Sequence, residues 1–210
     1  MASLVDRYFS KPDLDAVTEA VRQAELKTSG ELAVQLASRS HRWMLQRIID
    51  TVLFGIAIFV IAMFLLKPDW GMYYNLSQAA LYGLIGFVLF WFLWPFVLKR
   101  EKRCNRIVWK RALKLFSQLE PTGGQTGVLI FMSLEENQVA LVADKKIAEK
   151  VSPDYWDKQH AVIARAMRKG QHAEGLIQAI NEIGAELGRH FPRRDDDINE
   201  LPDAPRILDK

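Results

Sequence analysis

The chain has a single cysteine among its 210 residues. Cys104 alone permits no internal disulfide and no cysteine zinc cluster. Histidine is almost as scarce. The four present, His41, His160, His172 and His190, show no metal-ligand spacing and no arrangement for a nucleophilic triad. Charge is missing where its absence matters most: no charged residue lies between Thr51 and Leu66, or between Trp70 and Leu98. The rest of the sequence is polar and densely charged, so a net charge of +3 averages two unlike parts. These absences exclude a disulfide scaffold, a disordered chain and a purely soluble protein. The glycine-rich stretch Gly123-Gly124-Gln125-Thr126-Gly127 lacks the lysine of a phosphate loop and leads into a strand pattern rather than a helix.

Two apolar runs fill the uncharged stretches, residues 48–66 and 79–98. At about 1.5 Å per helical residue each reaches roughly 28–30 Å, the hydrocarbon thickness of a bilayer. The second has no polar stripe over 84–98, as a helix packed in a soluble core would have. Trp43, Trp70, Tyr73, Tyr74, Trp91 and Trp94 fall near the ends of these runs, where amphipathic rings favour the interface. Asp50 stands one turn inside the first run, within reach of interfacial water. Arg39, Arg42 and Arg47 precede the first run, and Lys99, Arg100, Lys102, Arg103, Arg106, Lys110 and Arg111 follow the second. The connecting turn holds one lysine and one aspartate, so the positive-inside rule expects a two-pass protein with both termini cytoplasmic. Lys99, Arg100, Lys102, Arg103 and Arg106 are candidates for holding anionic lipid headgroups. That basic cluster lacks interleaved aromatics, and no nucleic-acid partner is expected.

The flanks read as one α/β domain split by the hairpin. Ser10, Pro12 and Asp13 form a helix start ahead of Leu14, Val17, Val21 and Ala24, which share one face. Thr28-Ser29-Gly30 stops that helix, and 31–37 reads as a strand that finds no partners within its own flank. Residues 126–134 form a nearly continuous apolar run expected in a strand buried on both faces, and 138–143 returns beside it after the turn Glu135-Glu136-Asn137. A helical stripe from Ile107 to Leu119 precedes these strands. One helix follows from Ser152-Pro153 to Gly170, and another carries Leu176, Ile180, Ile183 and Leu187. The expected fold class is α/β: a single small sandwich with a mixed sheet flanked by helices, the first two strands parallel, interrupted by a two-helix transmembrane hairpin. The split domain takes 1–41 and 104–192, the hairpin 42–103, and a tail of acidic residues and prolines 193–210, either mobile or extended along the domain.

Thr28-Ser29-Gly30-Glu31, the strand Val128 to Leu134, Val142-Ala143-Asp144, Trp156, Phe191-Pro192 and Asn199-Glu200-Leu201-Pro202-Asp203 occur in the order seen in the TPM-domain family. The sequence resembles the short bacterial membrane branch of that family, which implies a small α/β sandwich and a bacterial inner-membrane location. Some TPM-domain proteins are acid phosphatases and some bind calcium. The resemblance therefore implies Thr28, Ser29, Gly30, Glu31 and Asp144 as binding residues and calcium as a possible cofactor. The glycine-rich acidic loop of many calcium-binding members is replaced here by Asp144-Lys145-Lys146-Ile147, which brings two lysines to that position. Read without the resemblance, Thr28-Ser29-Gly30 is a helix stop, Glu31 a capping or pairing group and Asp144 a turn residue. With no catalytic constellation in view, the expectation is a non-catalytic accessory or binding factor for a membrane complex. Its partners would be the bilayer and either a membrane protein or itself. The alternatives are a divalent-metal-dependent phosphatase using Asp144 and Glu31, and a self-assembling scaffold packed through Ala79, Ala80, Gly83 and Gly86.

Overall fold

The computed structural model describes residues 3–40, 43–65, 72–97, 100–119, 127–193 and 201–208. Its contacts divide the chain into two units, 1–40 with 104–210, and 41–103.

The first unit is built on a four-stranded sheet. Helix α1 (Leu4–Tyr8) and α2 (Lys11–Glu25) lead to β1 (Glu31–Ala37); beyond the second unit, α5 (Arg100–Phe116) leads to β2 (Gly127–Ser133) and β3 (Gln138–Ala143). Then come α6 (Lys145–Ala148), α7 (Pro153–Arg168), α8 (His172–His190) and β4 (Arg206–Ile207). The strand order is β3-β2-β1-β4. β1 runs parallel to β2, with Glu31 opposite Gly127 and Ala37 opposite Ser133, and β2 runs antiparallel to β3. The mixed α/β sheet with flanking helices is the one expected from the sequence.

Local chemistry sets the helix ends. Ser10 caps α2 in a reciprocal box with Asp13: the Asp13 carboxylate accepts from the Ser10 N–H at 2.9 Å and from its hydroxyl at 2.6 Å. Those bonds hold the Asp13 carboxyl below the usual carboxylate range. Ser152 caps α7, and Gly170, at φ 78°, takes the left-handed conformation that ends it without a Cβ clash.

Alternation along the strands separates two cores. Leu32, Val34 and Leu36 join Val128, Ile130, Met132, Val139 and Leu141 beneath buried residues of α2, α7 and α8. Ala33 and Ala37 join Leu129, Phe131, Ala140 and Val142 on the opposite face, covered by Val108 and Ala112 of α5. Both faces being covered explains the unbroken apolar runs, and each fully buried Leu, Ile or Phe contributes about 1.5–3 kcal/mol. α8 approaches its neighbours at glycines. A Cβ at Gly184 would lie 2.4 Å from Ala24 Cβ, and one at Gly175 2.1 Å from Ala166 Cβ.

Where β1 leaves the sheet, Ser133 donates to the Glu136 carboxylate, which also accepts from the Ser40 N–H at 2.9 Å. The Ser40 and Ser133 hydroxyls bond at 2.6 Å, tying the strand's exit to the β2–β3 turn. At the chain's other end, β4 pairs parallel to β1 at Gln35 and Leu36, and Leu201 and Leu208 pack on the second core. The tail over 201–208 thus lies extended along the sheet.

The second unit contains α3 (Trp43–Leu65) and α4 (Met72–Val97). They pack antiparallel, since contacts pair rising numbers on one with falling numbers on the other. Arg47 stacks over Trp91 at 4.1 Å, Phe54 stacks on Phe90 at 4.3 Å, and Phe59 meets Gly83. A Cβ at Gly83 would lie 3.1 Å from Phe59 Cβ, and one at Gly86 2.4 Å from Ile58 Cδ1. Two of the small residues read as scaffold contacts, Gly83 and Gly86, therefore face α3 inside the hairpin; Ala79 is buried and Ala80 exposed. Away from this seam the helices are bare: Phe64 is 84% exposed, Leu65 75% and Phe92 70%. Two segments, Arg47–Leu65 and Leu76–Leu93, are long and apolar enough to cross a membrane.

Candidate functional site

Four of the five residues implied by resemblance lie within the short stretch from the α2 terminus to the start of β1, and the register brings the fifth to the same end of the sheet. Glu31 opens β1 opposite Gly127, and the Asp144 N–H donates to the Gly127 carbonyl at 2.9 Å from the far side. Gly127, between them, carries no side chain.

Thr28, Ser29 and Gly30 form a clasp. The Thr28 hydroxyl donates to the Phe191 carbonyl at 2.7 Å and accepts from the Gly30 N–H at 3.0 Å; the Ser29 N–H donates to the same Phe191 carbonyl at 3.0 Å. These bonds tie the β1 entrance to the end of α8, and Thr28 is 1% exposed. Replacing Thr28 by Val leaves the buried Gly30 N–H without its partner and removes one of the two bonds that the Phe191 carbonyl accepts. The expected loss is about 1–3 kcal/mol, read as a lowered denaturation midpoint of the α/β unit.

Glu31 is buried, and its carboxylate accepts from the Leu201 N–H at 3.3 Å. Beside it stands Glu25, in the last turn of α2, whose carboxylate accepts from the Leu32 N–H at 2.9 Å. Burial pushes the Glu25 carboxyl up to about 8; the Leu32 bond opposes this, while the charges of Glu31 and Asp203 and a hydrogen bond with Asp203 add to it. A cluster of Glu25, Glu31 and Asp203 thus joins α2, β1 and the tail. Sequence reading missed Glu25 and Asp203. The available signal was an acid in the last turn of a helix, where the macrodipole disfavours negative charge.

Asp144 caps α6, its carboxylate accepting from the Lys145 N–H at 2.6 Å, and Lys145 and Lys146 are exposed. Among the described residues, no three His, Cys, Asp or Glu side chains are grouped to hold a metal ion. The described residues at this end of the sheet fasten the tail and α8 to the start of β1.

Of the basic cluster, Lys99 lies outside the described residues, as do the side chains of Arg100, Lys102 and Arg103. Arg106 is exposed on α5.

The family model of the TPM domain matches residues 105–186, and the chain carries a TPM domain. The matched stretch begins beyond β1, so Thr28, Ser29, Gly30 and Glu31 lie outside it, although β1 is central in the same sheet. The fold is similar to that of the BA42 protein from the psychrophilic bacterium Bizionia argentinensis, solved by NMR, with a TM-score of 0.58 and 23% identity over 95% of each chain. No curated protein matches the chain.

Proposed function

We infer that this is a two-pass protein of the bacterial inner membrane that displays its TPM domain in the cytoplasm and acts as a non-catalytic accessory or binding factor for a membrane complex. The observation that carries the reading is the apolar surface of α3 and α4: only 11% and 17% of their most apolar windows are buried. In water that surface is unfavourable, and in hydrocarbon it is at rest. The positive flanks favour cytoplasmic termini.

Alkaline carbonate treatment of membranes is expected to leave the protein in the pellet, and protease is expected to cut the α/β unit only from the cytoplasmic side. Crosslinking in native membranes is expected to capture a membrane protein in fixed proportion. Release by carbonate overturns the membrane reading, and the absence of any crosslinked partner overturns the accessory role. Divalent-dependent phosphate release that disappears in Asp144→Asn would replace the binding reading with the phosphatase.

A further inference from the structure

The two edges of the sheet are treated differently. At one edge the chain lays its own tail, β4, along β1, with the Leu208 N–H donating to the Leu36 carbonyl at 2.8 Å. At the other edge, β3 bonds only to β2 among the described residues. Exposed edges are ordinarily blunted by lysine, proline, an inward charge or a bulge. Gln138-Val139-Ala140-Leu141-Val142-Ala143 contains no charge and no proline, and its pairing with β2 is unbroken.

The register fixes which backbone groups are free. The Asp144 N–H bonds to the Gly127 carbonyl, so residues 142, 140 and 138 take the hydrogen-bonded positions toward β2. Val139 and Leu141 therefore turn their N–H and C=O groups to the open edge. Both residues are buried, 4% and 8% exposed, and no hydrogen bond of the described residues reaches those groups. Outward backbone groups of an uncovered edge are a template for pairing with a further strand.

They face a cavity of about 410 Å³ lined by Asn105, Arg106 and Trp109 of α5, by β3, and by Trp156, Asp157 and His160 of α7. Trp156 also has its indole N–H buried without a partner. We propose that this groove binds an extended peptide segment of a partner protein, which adds a strand to the β3 edge. The segment carries acidic side chains on its α5 side, toward Arg106, and uncharged side chains on the side of Asp157. Side chains of an added strand alternate between the two walls, so one acidic residue in two satisfies the α5 wall without approaching Asp157. A second copy of this chain is a poor occupant. Antiparallel pairing of two β3 edges preserves the faces, which sets Arg106 toward Arg106 and Asp157 toward Asp157.

The proposal rests on the binding-factor reading and specifies how the partner docks. Its test uses the full-length protein in neutral-lipid nanodiscs and two fluorescein-labelled acetylated hexapeptides, one alternating valine with glutamate and one alternating valine with lysine. Saturable anisotropy is expected for the glutamate peptide. Arg106→Glu should weaken it about tenfold and improve the lysine peptide. Amide exchange at Val139 and Leu141 should be faster than at Ala140 in the free protein and slow on peptide binding. Leu141→Pro removes an outward N–H without touching the β2 ladder and should abolish binding; Trp109→Ala serves if that variant does not fold. No saturable binding, unchanged preference in Arg106→Glu, or exchange at Val139 and Leu141 unaffected by peptide overturns the proposal. Displacement of the peptide by a lysophospholipid assigns the groove to a lipid chain instead. A crosslinked partner found with any of these results leaves the binding-factor reading standing and removes only the edge as its docking site.

Discussion

Glu25→Gln is expected to make the α/β unit more stable at pH 8 and to flatten its pH profile. In the native protein the Glu25 carboxyl is raised from an ordinary 4.5 to about 8. The folded state therefore holds a proton that the unfolded chain releases at lower pH. The associated stability is fully present below about pH 4.5 and is lost as pH rises through about 8. Glutamine reproduces the protonated state at every pH: its carbonyl still accepts from the Leu32 N–H, and its amide can donate to Asp203. The groups facing it are Glu31 at the start of β1 and Asp203 on the tail, with Arg22 of α2 interacting in turn with Asp203. Thermal unfolding at pH 8 should rise by at least about 2–4 °C, the shift that one kcal/mol produces in a domain of this size. Parallel curves for wild type and variant between pH 5 and pH 8 would remove Glu25 as the titrating group.

Gly184→Ala should destabilise the same unit although alanine is the better helix former. The new Cβ would lie 2.4 Å from Ala24 Cβ and 3.0 Å from Ala24 Cα, so a backbone must move and α2 must part from α8. Overpacking of this kind costs about 1–3 kcal/mol, against roughly 1 kcal/mol gained in helix propensity. The decisive measurement is the double variant Ala24→Gly with Gly184→Ala. Its loss should be smaller than the sum of the single losses, because the Cβ–Cβ clash is then gone. Additive losses would place the strain elsewhere.

The three long strands and the long helices of the α/β unit were legible because their signals are local. Capping by Ser10 and Ser152, the stop at Gly170, and the run from Val128 to Leu134 each state their structure within a few residues. α6 is a single turn, and β4 is two exposed residues whose pairing is decided by β1 rather than by any pattern of their own. The candidate site was legible by half. Thr28-Ser29-Gly30 announced the end of a helix, but nothing near it announced Phe191 as its partner. Glu25 and Asp203 are brought together by the fold across most of the chain, and no spacing rule links them. The β3 edge was hidden for the opposite reason. A strand buried on both faces looks the same in sequence whether or not its edge is paired.

The parallel pairing of β1 with β2 has a consequence for the order of events during synthesis. Glu31 leaves the ribosome long before Gly127, its partner, and the whole of 41–103 is made in between. Until β2 arrives, β1 is an apolar strand with both edges unpaired, and closing so distant a contact is slow. Completion of the α/β unit thus waits until residues 41–103 have been made. Until β2 is made, β1 stays open to proteases and to other strands, so the α/β unit is completed late in synthesis.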